Sequence, residues 1–171
     1  MYRYKYLLLI LFVILAGCSL LSEEQVLKNA EESAEAVFKD KPVETNQTID
    51  DVTLYLPEEL EIKGSSDNNV VLESKGGTYL LFYSQFENEM SQLLYQEVEK
   101  EENHLLLKSF QENDRFGYIS VLPYKTEDMY DLQVGIGGVK LKTLTNKADL
   151  EEEAEKMMRI VRSVVLNESN T

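Results

Sequence analysis

One cysteine, one histidine, three prolines and no tryptophan stand among 171 residues, and each scarcity removes a class of chemistry. Cys18, the single cysteine, has no partner for an intrachain disulfide and supplies one thiolate where structural zinc sites draw on several side chains. His104, the single histidine, rules out multi-histidine metal sites and confines any Ser-His-Asp triad to that one residue. The missing tryptophan leaves no indole against which a sugar ring would stack. Basic residues are also short, 17 against 31 acids, for a formal charge of -14. Phosphate backbones are bound by Lys/Arg patches that displace counterions, so nucleic acid is excluded as an expected partner, and anionic headgroups are repelled.

What is present is enough for one folded unit. Hydrophobic residues make up 43% and charged residues 28%, the balance of a chain that buries a core. Arg3 and Lys5 alternate with Tyr2, Tyr4 and Tyr6, and the apolar run Leu7 to Ala16 follows. At 1.5 Å per residue that run spans roughly half of a ~30 Å hydrocarbon core, too short to cross a bilayer but right for a signal-peptide core. No later apolar run reaches spanning length. The run closes on Leu15-Ala16-Gly17-Cys18, which resembles the lipobox of bacterial lipoproteins.

That resemblance implies cleavage between Gly17 and Cys18, with a thioether-linked diacylglycerol and an N-acyl chain on Cys18. Residues 1–17 are then the signal peptide, 18–21 a lipidated tether, 22–166 a single domain and 167–171 a disordered tail. The mature chain keeps 154 residues and, having lost Arg3 and Lys5 but no acid, carries -16. Lipidation uses the only sulfur, which leaves no thiol for catalysis. Such a protein sits on the extracytoplasmic face of the cell membrane. In an organism with two membranes, Ser19 resembles a residue that sorts lipoproteins to the outer one.

The mature chain reads as helix, four strands, helix, four strands, helix. Ser22-Glu23-Glu24-Gln25 has the form of a capping box, and Val26, Leu27, Ala30, Ala34, Val37 and Phe38 recur at helical spacing as far as Asp40, before Pro42. From Ile49 the period becomes two, and one strand over Val52, Leu54 and Leu56 is broken by Pro57 before Leu60 and Ile62 resume it. Gly64 to Asn69 is a polar turn. Val70 to Ser74 and Thr78 to Tyr83 flank Lys75-Gly76-Gly77 as a hairpin, and the second of them, apolar on both faces, is expected to be a central strand.

Asn88 to Glu102 returns to helical spacing through Met90, Leu93, Leu94 and Val98. Leu105 to Gln111, Phe116 to Leu122, Tyr130 to Ile136 and Val139 to Leu144 are strands joined by hairpins, the last at Gly137-Gly138. Asn146 or Asp149 caps a final helix whose stripe runs Leu150, Ala154, Met157, Met158, Val161, Val164 and Val165. The fold class is therefore α+β, an antiparallel sheet of about six to eight strands covered by N-terminal, middle and C-terminal helices.

Fragments that look chemical lack their partners. Ser66-Asp67-Asn68 matches one triplet of penicillin-recognising enzymes, but no Ser-x-x-Lys or Lys-Thr-Gly accompanies it, so it reads as a polar turn. Gly135-Ile136-Gly137-Gly138 has Lys140 where a dinucleotide loop needs glycine, and a strand follows instead of a helix. Glu101 and His104 have the Glu-x-x-His spacing of one helix face, yet no further ligands join them, and His104 reads as a solvated residue at a helix end. Asp67-Asn68-Asn69 lacks the glycine and distal glutamate of a calcium loop. Runs such as Glu99 to Glu102 and Glu151 to Glu153 read as solvated faces, although a hydrolytic carboxylate pair is not excluded by spacing. Six of the ten tyrosines fall between Tyr79 and Tyr130, as core and sheet-edge residues or, for an exposed subset, a partner surface.

Leu54-Tyr55-Leu56-Pro57-Glu58-Glu59-Leu60, the hairpins that follow and a closing helix ending Val161-Arg162-Ser163-Val164-Val165 are similar to the layout of the PsbP-like fold, with Leu60 where that fold usually carries an aromatic residue. The resemblance covers Asp50 to Val165. It implies a central antiparallel sheet between helices and a binding or accessory role, and it assigns no site residues. The lipobox and the acidic domain together also resemble small lipoproteins of Gram-positive bacteria. The function expected from all this is a membrane-anchored, non-enzymatic module that binds a protein or envelope component, with no catalytic, cofactor-binding or metal residues assigned. A ligand- or cation-binding lipoprotein serving a transporter or sensor is the alternative, and a carboxylate-dependent hydrolase stands third.

Overall fold

Ser22 opens the first helix by accepting a hydrogen bond from the backbone N–H of Gln25 on its Oγ at 3.2 Å, as a capping serine does. The computed structural model describes residues 21–126 and 128–167. Helix α1 (Glu23–Lys39) ends at Asp40 and buries Val26, Ala30, Ala34 and Phe38. A small sheet then combines β1 (Gln47–Ile49) and β2 (Val52–Leu54) with β10 (Val165–Leu166) in the order β1-β2-β10. The main sheet contains β3 (Glu61–Ser66), β4 (Asn69–Ser74), β5 (Gly77–Tyr83), β6 (Leu106–Gln111), β7 (Phe116–Pro123), β8 (Met129–Ile136) and β9 (Val139–Asn146). Their order is β3-β4-β5-β9-β8-β7-β6, antiparallel throughout. The remaining helices are α2 (Leu93–Val98) and α3 (Leu150–Ser163).

The class is α+β, with a seven-stranded and a three-stranded sheet and N-terminal, middle and C-terminal helices. Two meanders, β3-β4-β5 and β6-β7-β8-β9, meet where β5 pairs with β9, Leu81 opposite Leu141. On one face α1 and α3 cover Leu72, Leu81, Ile119, Leu132, Val134 and Leu141, the main core. On the other face α2 covers only part of the sheet. There Leu94, Val98 and Tyr118 form a second cluster, and the Tyr95 ring meets Phe116 edge-on at 5.3 Å.

Several boundaries differ from the sequence expectation, each for a definite physical reason. The segment expected as one strand from Ile49 to Leu56 is a hairpin, because Asp50 turns the chain with φ of 50° and aspartate tolerates that region. The β3–β4 turn is tighter than Gly64 to Asn69: Asp67 and Asn68 alone carry positive φ, and Gly64 to Ser66 belong to β3. The middle helix is six residues instead of the expected Asn88 to Glu102. Its first turns are lost to competing hydrogen bonds, one local and one distant: Asn88 Oδ1 accepts from Met90 N–H, and the Glu89 carbonyl accepts from Phe116 N–H.

β5 is an inner strand as expected, paired with β4 on one side and β9 on the other. Only its Tyr79, Leu81 and Tyr83 face is buried; Leu80 is 44% exposed on the face that α2 leaves open. The last helix stops at Ser163, and Val165 leaves the apolar stripe to pair with Thr53 of β2. Its entry turn belongs to Asn146, whose Oδ1 accepts from the N–H groups of Ala148 and Asp149. Asn167, placed in a disordered tail from the sequence, donates its N–H to the Asp51 carbonyl at 2.8 Å.

Candidate functional site

The strands give the domain two ends. Leu21 and Val26 border a cavity of about 660 Å³ together with Asp128, Asn146 and Lys147. Nearby the Tyr130 hydroxyl donates to Glu23 at 2.9 Å. The chain therefore enters beside the start of β8 and the end of β9. Gly17 and Cys18, the expected cleavage and lipidation residues, lie outside the described residues. At the far end of the same strands, Gly137 and Gly138 turn β8 into β9, confirming a hairpin there and not a phosphate loop. Eight strand residues separate the ends by roughly 24 Å. Among the described residues no helix is long and apolar enough to cross a membrane.

The far end carries a residue that the sequence reading passed over. Phe86 is 97% exposed, the extreme among the large apolar side chains described. It stands in Ser84-Gln85-Phe86-Glu87, outside any helical or strand period, and that isolation is the only sequence signal it gives. The loop is fixed by backbone contacts. Ser84 donates its N–H to the Gly138 carbonyl at 2.9 Å, and a Cβ on Gly137 would come within 2.4 Å of the Asn88 carbonyl oxygen. Only glycine fits at position 137, where φ is +54°.

His104 is neither solvated nor on a shared helix face with Glu101. Asn103, with φ of 68°, breaks the chain after α2, and His104 packs back onto the sheet. Its Nε2 lies 3.1 Å from the Val98 carbonyl, which accepts only, so this nitrogen carries hydrogen. Its Nδ1 lies 3.1 Å from Ser120 Oγ. Ser120 is completely buried, so this Ser-His pair ties the 99–105 segment to β7 and offers substrate no nucleophile.

On the same sheet face, three buried polar atoms have no partner among the described residues: Tyr118 Oη, Asp131 Oδ1 and Gln133 Nε2. Tyr118 lies opposite Gly135, and Gln133 opposite Ser120, so they sit side by side under α2. Burial pushes the Tyr118 phenol far above its usual pKa, with the charges of Glu101 and Glu97 adding to the shift. Asp131 keeps its other oxygen on Lys142 Nζ at 2.6 Å.

The acids gather elsewhere. A cleft of about 790 Å³ lies between Glu58, Glu59 and Glu61 on one wall and Glu152 and Glu153 of α3 on the other, with Glu73 and Lys75 at its side. Lys63 bridges Glu61 and Glu73 at 3.3 and 3.1 Å. Glu153 accepts from the Tyr79 hydroxyl at 2.8 Å and pairs with Lys156 at 2.6 Å. Glu61, Glu73 and Glu153 are thus engaged with cations and a phenol, the arrangement of a structural network. Among the described residues no group of three or more His, Cys, Asp or Glu is placed to hold a metal ion. Of the six tyrosines from Tyr79 to Tyr130, Tyr79, Tyr83, Tyr118 and Tyr130 are buried, Tyr95 is partly buried and Tyr124 is exposed. No protein-family model matches the chain, and no curated protein matches it.

Proposed function

We propose that this protein is a lipid-anchored extracytoplasmic module that binds a protein or envelope component without catalysing a reaction. What supports this reading is the short sequence distance between the expected anchor, Cys18, and the first capped helix. Cys18 precedes the cap at Ser22 by three intervening residues, which reach about 10 Å when extended. Such a tether holds the entry end of the sheet against a bilayer and turns the Gly137-Gly138 end outward. The mature chain's charge of -16 gives it no electrostatic hold of its own on anionic lipid, so the acyl chains supply the attachment. The engaged state of Glu61, Glu73 and Glu153 and the burial of Ser120 support the non-enzymatic part.

In-cell cross-linking followed by mass spectrometry tests it. The expected result is a reproducible envelope partner, captured by the processed, membrane-bound form. Calorimetric binding of the purified protein to metabolites or metal ions, with no envelope partner captured in cells, would replace this reading with a ligand-binding one.

A further inference from the structure

We infer that the end of the sheet opposite the anchor is a docking surface for a basic protein segment, with Phe86 as its anchor residue. This deepens the binding-module reading and rests on it. Among the described residues, three large apolar side chains are more than half exposed: Phe86 at 97%, Leu93 at 58% and Val165 at 54%. All three lie at this end, two on the 84–93 segment and one on β10. A groove of about 370 Å³ runs between those two elements, with Ile136, Val139 and Val164–Leu166 as its apolar wall and Glu87 and Glu89 opposite. A protruding aromatic beside an apolar groove is the form of an interface hot spot, and the backbone contacts of Ser84 and Glu89 hold it in place before binding.

Charge selects the occupant. Asp51 borders β10 through the hydrogen bond from Asn167, and Asp50 precedes it in the same turn. Glu89, Glu112 and Asp114 all pair with Arg115, and Arg162 lies within electrostatic reach of the same group, so three acids face two cations and the cluster stays negative. An apolar groove rimmed by acids takes a segment that pairs apolar side chains with Lys or Arg. A second copy, bearing the same acidic rim, is repelled.

The test uses the processed lipoprotein in phosphatidylcholine nanodiscs and a fluorescent peptide of alternating Lys and Leu, with a Glu/Leu peptide as its match. Expected are binding of the Lys/Leu probe that weakens with salt, and at least a tenfold loss for Phe86→Ala and a smaller one for Glu87→Gln. Leu80→Ala, on the open sheet face, and Glu152→Gln, in the acidic cleft, should bind as the parent does. Equal binding of both peptides, or unchanged binding by Phe86→Ala, would overturn the inference. A tenfold loss caused by Glu152→Gln would overturn it too. In cells, a photoreactive phenylalanine at position 86 is compared with one at position 124, at the anchor end. Capture at 86 of a protein through a basic, apolar peptide supports the surface. Capture at 124 alone removes it while leaving the binding-module reading intact, and capture at neither removes both.

Discussion

Gly135 and Tyr118 face each other across β8 and β7, and the tyrosine ring fills the space that a side chain at 135 would take. A Cβ on Gly135 would lie 2.4 Å from one ring carbon of Tyr118 and 2.9 Å from its hydroxyl oxygen. Tyr118 is 1% exposed and Tyr95 lies over it at 5.8 Å, so the ring has nowhere to retreat.

Gly135→Ala is accordingly expected to destabilise the domain by about 1–3 kcal/mol, the usual range for overpacking. Gly64→Ala is the control, because nothing lies within 4 Å of a Cβ there. Denaturant midpoints of the two variants test this. Equal midpoints would show that the Tyr118 ring is free to move.

The unpartnered Tyr118 hydroxyl and the unpartnered Nε2 of Gln133 make the opposite prediction. Removing a buried polar group that has no partner relieves its desolvation, so Tyr118→Phe and Gln133→Leu should each leave stability unchanged or raise it by about 1 kcal/mol. Thermal unfolding decides, and a loss of that size in either variant would mean that the group is satisfied in solution.

Alkaline pH reads out the buried phenols. Burial first, and then the hydrogen bond to Glu23, push Tyr130 up to about 12. Tyr79 and Tyr83 are also raised, chiefly by burial. An unfolded tyrosine ionises near 10, so the folded state favours the neutral form. The stabilisation is whole below pH 10 and is lost as pH climbs from 10 to 12. Tyr130→Phe should flatten that decline in melting temperature. An identical decline in the variant would assign it to other groups.

Cys18→Ser tests the anchor. The substituted protein should leave the membrane fraction, or remain unprocessed, while its circular dichroism matches that of the parent. A fully processed, membrane-bound Cys18→Ser protein would end the lipoprotein proposal.

How far the sequence foretold the fold depended on how local the deciding interactions were. Gly137-Gly138, Lys75-Gly76 and Ser22 announce a turn or a cap through their own backbone preferences, and those elements lie where expected. The middle helix failed because Met90 and Leu93 keep helical spacing while Phe116, far along the chain, takes the Glu89 carbonyl. β10 was invisible for a similar reason: Val165 continues the stripe of α3 until β2 offers it an edge. His104 looked solvated because neither Ser120 nor the Val98 carbonyl is marked as its partner by spacing. Phe86 has no periodicity to betray it, and its exposure follows from how Gly137 and Gly138 hold the loop.

The pairing of β10 with β2 sets an order of assembly. Each hairpin of the main sheet joins neighbours in sequence and can form as soon as its two strands exist, whereas Val52 must wait for Leu166. A chain made from its N-terminus can thus close the β1–β2 hairpin early but leaves the other edge of β2 open until nearly the whole domain is available, and truncation before Val165 should leave that edge unpaired. The step that closes the small sheet also completes the groove beside Phe86, so the proposed docking surface exists only once the last strand has been laid down.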